Sequence, residues 1–241
     1  MDLDINTRLE CLEEKIQASC LRSGRRREEV KLMAVTKFQP IEVIEAVWKA
    51  GVKLFGESRV QEGIGKFQWF WERYDKDGSV ELHFVGPLQR NKAKKAAAFF
   101  DCIQSVDREP LIDELGALTM GRESPLIVLL EYHTGEDTKS GFPDHDSLFR
   151  AAEKLLSFKG LRPAGLMTMA PFTTDAAAVR SSFRKLLAAR DELAKHFPGA
   201  DWSCLSMGMT NDFEIAIEEG STLIRIGSAI FGELKFGESK T

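Results

Sequence analysis

Short apolar runs bounded by turn residues alternate along this chain with longer stretches of helical periodicity. Eight of the runs read as strands, at residues 30–37, 53–56, 82–86, 102–106, 126–132, 165–169, 202–207 and 222–227. Between them, residues 41–50, 89–100, 175–197 and 212–219 carry the clearest helical spacing, and residues 3–21 predict a further helix before the first strand. Strands that alternate with helices imply parallel pairing, because a parallel strand needs a long crossover, usually helical. Eight such units favour an α/β fold closed as a single (β/α)8 TIM barrel, with an extra N-terminal helix, over an open doubly wound sheet.

The 241 residues, 43% of them hydrophobic, suffice for one large core, so residues 1–241 are expected to form a single domain. A formal net charge of -4 leaves no basic footprint for nucleic acid. The longest apolar runs, such as 125–130, fall far short of the ~20 residues that span a bilayer, and the start MDLDINTRLE is charged. No membrane partner is expected, and a cytoplasmic location is. Cys11, Cys20, Cys102 and Cys204 lack metal-ligand spacing and suit reduced thiols, so no metal site is expected.

Candidate chemistry concentrates at strand ends. In KLMAVTK, two-residue periodicity places Met33, Val35 and Lys37 on one face, so a lysine ends an apolar inward row. A buried amine is more easily deprotonated and can attack an aldehyde, although strand-end lysines are also commonly just solvated. In STLIRIGS, Arg225 lies among Leu223, Ile224 and Ile226, where a permanent charge needs an anion or acceptors. An internal salt bridge is the alternative reading. The loops after the seventh and eighth strands contain Ser206, Gly208, Thr210, Asn211 and Asp212, and then Gly227 and Ser228. Barrels build phosphate sites from these two loops. Together with Lys37 and Arg225 they make a coherent site for a phosphorylated aldehyde. His83 shares a strand face with Val85 and is a lumen candidate, with a structural histidine as the plainer reading. Trp69, Trp71, Phe67 and Phe70 fit a helix packed on the barrel, and residues 134–146 form a polar loop on the face where barrels place their sites.

The motifs AVTK at Lys37, FGESRVQE from Phe55, HFVGPLQRNK from His83, GLMTM from Gly165, LSMGMTND from Leu205 and STLIRIGSAIFG from Ser221 occur in order across nearly the whole chain. With these the sequence resembles the YggS/PROSC family of pyridoxal phosphate homeostasis proteins, whose fold is similar to the N-terminal barrel of alanine racemase. The resemblance implies pyridoxal 5'-phosphate held as a Schiff base on Lys37. It implies a phosphate held by Ser206, Gly227 and Ser228, and Arg225 by the pyridine nitrogen, where it keeps the ring a weak electron sink. Ser58, Met207, Met167 and His83 are the further expected cofactor neighbours. Two positions depart from the family pattern: Gln39 stands where a lysine is usual, and Ser58 replaces an asparagine. Lys139 matches a family lysine and is a candidate secondary contact.

A racemase of this fold takes its second base from a tyrosine in a second domain. Only thirteen residues follow Ser228 here, and Tyr74 and Tyr132 lie outside the family motifs. The expectation is therefore a carrier without assigned catalytic residues. It would store the cofactor and deliver it to apo-enzymes that depend on pyridoxal phosphate, as a monomer or weak dimer. A small racemase or decarboxylase of the same fold is the alternative, and an aldolase barrel using Lys37 on a sugar phosphate a second one.

Overall fold

A computed structural model describes residues 4–75, 78–135 and 140–232. Eight parallel strands close into a barrel in chain order: β1 (Lys31–Val35), β2 (Leu54–Glu57), β3 (Glu81–Phe84), β4 (Cys102–Val106), β5 (Leu126–Glu131), β6 (Leu161–Met167), β7 (Cys204–Ser206) and β8 (Leu223–Ile226). The barrel shuts by β1 pairing with β8, Lys31 opposite Leu223 through Ala34 opposite Ile226. Helix α1 (Ile5–Arg22) precedes the sheet. The crossovers are α2 (Ile41–Lys49), α3 (Val60–Arg73), α4 (Ala93–Phe99), α5 (Glu109–Leu118), α6 (His145–Leu156), α7 (Ala176–His196) and α8 (Phe213–Glu218), and a single turn, α9 (Ser228–Phe231), follows β8. No described helix is long and apolar enough to cross a membrane.

Two-residue alternation sorts each strand between two environments. Outward side chains such as Phe55, Phe84, Ile103 and Val128 join the helices' apolar faces in one large core. Inward side chains fill the lumen with two small clusters, Met33, Leu54 and Leu223 on one side and Cys102, Leu129 and Met167 on the other. Helix α3 turns Phe67 and Phe70 into the outer core, and Trp71 packs on Phe99 at 4.7 Å, the packing role expected of these aromatics, whereas Trp69 is exposed on the helix's outer side.

Sequence and structure differ mainly at boundaries. Strand β1 stops at Val35, which leaves Lys37 two residues beyond it. Strand β6 begins at Leu161, before the expected 165, its start disguised by Arg162 and Pro163. Helices α3, α5 and α6 are not among the clear helical stretches, since α3 and α5 contain glycines and α6 starts at once after the polar loop. An Asp144–Ser147 capping box starts α6.

The extra helix α1 is fastened to the barrel by its buried Leu12, Ile16 and Cys20 and by ion pairs. Arg22 reaches Glu218 at 2.8 Å and Glu214 at 3.0 Å, while Arg180 holds Glu218 at 2.8 Å from the other side. The Arg180 and Arg22 guanidinium groups hold the Glu218 carboxyl below the usual glutamate range. A carboxyl depressed by folding stabilises the fold above its unfolded pKa, and that contribution is lost as pH falls through the folded value. Unfolding midpoints are therefore expected to drop on acidification below about pH 5, with a shallower drop in Arg22→Ala. Equal slopes in the two proteins would remove this clamp from the acid response.

Gly165 sits where β6 meets β7. Its φ is +148°, and an added Cβ would lie 1.8 Å from the Cys204 carbonyl oxygen. Gly165→Ala is expected to cost more than about 1 kcal/mol for the backbone conformation alone, with the clash added, read as a lower urea midpoint. An unchanged midpoint would show that the two strands can part.

Candidate functional site

The C-terminal ends of the strands surround a cavity of about 530 Å³. Of the expected site residues, Lys37, Ser58, Arg225, Gly227 and Ser228 line it, joined by Gln39. Val35, Val85 and Met169 supply apolar wall, and Phe172, Met209 and Phe231 an apolar rim. A larger hollow of about 800 Å³ lies at the opposite end, between α1 and the strand starts, with Lys31 and Glu81 in its lining. Barrels place their chemistry at the C-terminal face, where the loops converge, and the expected residues gather there. Among the described residues no group of three or more His, Cys, Asp or Glu side chains could hold a metal.

Lys37 follows Met33 and Val35 on the same face, as the alternation predicts, but it is exposed. It does not end a dry apolar row, because the strand has already finished and the chain is turning at the open mouth. Ser58 is held where β2 leaves the barrel by a close approach to Gly86, whose added Cβ would come 2.3 Å from the Ser58 carbonyl oxygen.

Four expected neighbours are placed elsewhere. Met207 is fully buried in the outer core, because Ser206 takes the inward position and the next residue must face the helices. Met167 lies deeper in the lumen with Cys102 and Leu129, and Met169, two residues further on the same alternation, reaches the cavity wall instead. Ser206 and His83 lie below the mouth in a buried polar chain. Lys139 lies outside the described residues.

That chain explains how the barrel tolerates a buried guanidinium. Arg225, only 5% exposed, donates through Nη1 to the Ser206 carbonyl at 2.7 Å and Oγ at 2.8 Å, and through Nη2 to the Thr168 carbonyl at 2.8 Å. An arginine can only donate, so Ser206 Oγ must accept and passes its own hydrogen to Gln104 Oε1 at 2.6 Å. This leaves the Gln104 amide nitrogen facing His83 Nδ1 at 2.7 Å, and His83 Nε2 facing Glu81 Oε1 at 2.7 Å. Every donor then points the same way, from Arg225 to a carboxylate at the far end of the barrel, so the dipoles add. Burial pulls the Arg225 guanidinium below its ordinary value, against the attraction of Asp212 and Glu131. The His83 hydrogen bond holds the Glu81 carboxyl down in spite of burial. Gln104 was not anticipated from the sequence. Its signal in the sequence was a polar residue at an inward position of the short run 102–106, where it is fully buried.

Comparison with known proteins places this geometry. The alanine racemase N-terminal domain model matches residues 12–235. Pyridoxal phosphate homeostasis proteins of Haemophilus influenzae and Aquifex aeolicus are 36% identical over 240 residues and 38% identical over 229, covering 99% and 95% of this chain and 99% and 98% of theirs. PipY of Synechococcus elongatus, solved with PLP bound, superposes with a TM-score of 0.81 at 32% identity, covering 95% of this chain and all of PipY. The chain belongs to the family of pyridoxal phosphate homeostasis proteins, built on the alanine racemase N-terminal domain. An alanine racemase of Clostridium difficile shares the family's barrel, with a TM-score of 0.75 at 13% identity over 96% of this chain and 57% of the racemase.

Within this family member, Gln104→Leu removes the central link and leaves the Ser206 hydroxyl hydrogen without its acceptor and His83 Nδ1 without its amide partner. The expected cost is about 1–3 kcal/mol in denaturant unfolding, and a loss well under that would show that water or a rotated side chain closes the gap.

Proposed function

We propose that this chain binds pyridoxal 5'-phosphate in the cavity at the C-terminal end of the barrel, holds it covalently through Lys37, and serves cofactor homeostasis by storing and releasing it in the cytoplasm. The observation that carries this reading is the donor set of one cavity, in which an exposed primary amine and a buried guanidinium share walls with the hydroxyls of Ser58, Thr210 and Ser228. Amine, cation and hydroxyls together suit a phosphorylated aldehyde. The PLP-bound PipY and the names of the homeostasis relatives support the same cofactor.

The bound cofactor would supply an aldehyde that condenses with a primary amine, and a ring able to withdraw electrons. Lys37 is the amine available to it. Ser228 and Thr210 would offer hydroxyls toward the phosphate, with Gly227 beside them in the lining. Ser206, buried and committed to Gln104 and Arg225, acts one layer down by fixing the guanidinium. Arg225 keeps its charge and has no proton to give readily, so at the pyridine nitrogen it would leave the ring a weak electron sink. Met169, Val35 and Val85 exclude water from the wall.

A carrier is favoured over a racemase by what the two tyrosines do. Tyr74 donates its hydroxyl to Glu45 at 2.7 Å, and Tyr132 packs against the outer core, so neither lines the cavity. In this reading the chain works as one cofactor-binding barrel, a monomer that hands its cargo to apo-enzymes dependent on pyridoxal phosphate.

Purified protein mixed with pyridoxal phosphate is expected to develop the visible absorbance of an amine-bound cofactor. Borohydride should bleach it and leave the label on the peptide containing Lys37. Lys37→Ala should abolish both signals, and loaded wild-type protein should restore activity to an apo-enzyme. Label on another lysine, or an unaltered spectrum in Lys37→Ala, would overturn the assignment.

A further inference from the structure

The turn that presents Lys37 is strained. Phe38 has a φ of +64° and is the one non-glycine residue with positive φ among the described residues. This left-handed conformation is disfavoured for a bulky side chain, and it persists where surrounding structure holds it. We propose that Glu57, Lys66 and Glu62 form a positioning triad that holds the Thr36–Phe38 turn in this conformation and thereby sets how the Lys37 amine is presented. The proposal rests on the reading of Lys37 as the cofactor-holding amine.

The contacts converge from two elements on both sides of Lys37. Ahead of it, the Thr36 N–H donates to the Gly56 carbonyl at 2.9 Å, and the Thr36 hydroxyl donates to Glu57 Oε1 at 2.7 Å. Lys66 Nζ donates to the Thr36 carbonyl at 2.8 Å and lies 2.5 Å from Glu57 Oε1 and 2.9 Å from Glu62 Oε1. Behind it, the Phe38 N–H donates to Glu62 Oε1 at 2.6 Å, and the Gln39 N–H returns to the Thr36 carbonyl at 3.0 Å. Arg59 stacks over the Phe38 ring at 4.5 Å. Both peptide neighbours of the lysine are thus tied to α3 and β2, while its own side chain enters the cavity.

The triad lies behind the cavity wall. Alternation along β2 sends Gly56 inward and Glu57 outward under α3, where Glu57 is fully buried and an added Cβ on Gly63 would touch its stem at 3.2 Å. Glu57 Oε2 has no hydrogen-bond partner, and burial pushes the carboxyl up against the pull of Lys66. Two carboxylates around one ammonium at a buried site are a costly way to obtain stability, since well-packed apolar side chains usually serve as well. What the charges do here that apolar groups cannot is accept and donate at the backbone of the Lys37 turn.

The test uses the full chain and inorganic-buffer solutions of pyridoxal phosphate. Glu62→Ala removes the acceptor from the Phe38 N–H and is expected to slow borohydride-trapped labelling of Lys37 about tenfold, while Glu62→Gln, which keeps an acceptor oxygen, recovers most of the rate. Phe38→Gly introduced into Glu62→Ala is expected to restore labelling toward wild type, because glycine takes positive φ without strain. A structural defect elsewhere would not be cured by that change. Hydrogen exchange across residues 36–39, followed without cofactor, should rise in Glu62→Ala and fall back in Glu62→Gln. Labelling within twofold of wild type in folded Glu62→Ala, or a double variant no faster than Glu62→Ala, would overturn the proposal. If wild-type protein is labelled elsewhere than Lys37, the function assigned to Lys37 fails. The exchange arm then decides on its own whether the triad orders the turn, and unchanged exchange would refute it.

Discussion

A guanidinium buried inside a closed parallel barrel must find acceptors without leaving the lumen, and the interior is arranged around that requirement. Arg225 takes carbonyls from the ends of neighbouring strands and a hydroxyl from β7. Asp212 and Glu131 attract its charge, and the Ser206 hydroxyl it holds leads on through Gln104 and His83 to Glu81 at the other end. Because arginine only donates, the direction of every bond in the chain follows from its first member. The lumen is consequently a polar thread flanked by two small apolar clusters. The cation is held at the floor of the cavity by the protein's own acceptors, so a ligand there would meet a preorganised charge.

The period of two along the strands lets one chain run two polar systems without mixing them. Inward positions on β3, β4, β7 and β8 build the thread, whereas Glu57, outward on β2, joins Lys66 and Glu62 behind the wall. One system orients the cation that would face the ring, and the other holds the backbone that carries the amine. Between them the cavity wall itself is mostly apolar, with Val35, Val85 and Met169 in its lining.

Relatives of low identity show how the same barrel can serve a larger enzyme. The racemase barrel superposes on nearly all of this chain but on only about half of its own, 57%. In this chain the tyrosines lie in outer packing and surface hydrogen bonding, while the lysine, arginine and glycine-serine turn gather at one mouth.

Much of this was legible in the sequence because it depends on local period and order. Eight apolar runs separated by helical spacing favour a parallel barrel over an open sheet, and a lysine ending the first run and an arginine within the last converge at one end because parallel strands all finish there. Facing follows the same alternation, yet Ser206 and Met207 were both expected at the cofactor, and the structure is what turns Ser206 inward and Met207 into the outer core. Depth was not. Whether an inward side chain reaches the mouth or stops a layer below depends on strand stagger and on where each strand ends, so Met169 lines the cavity while Met167, His83 and Ser206 lie beneath it. Partnership across the lumen and behind the wall, Gln104 between His83 and Ser206 and Glu62 under Phe38, joins residues far apart in sequence. Only closure of the barrel and the packing of α3 against β2 bring those groups within hydrogen-bond distance.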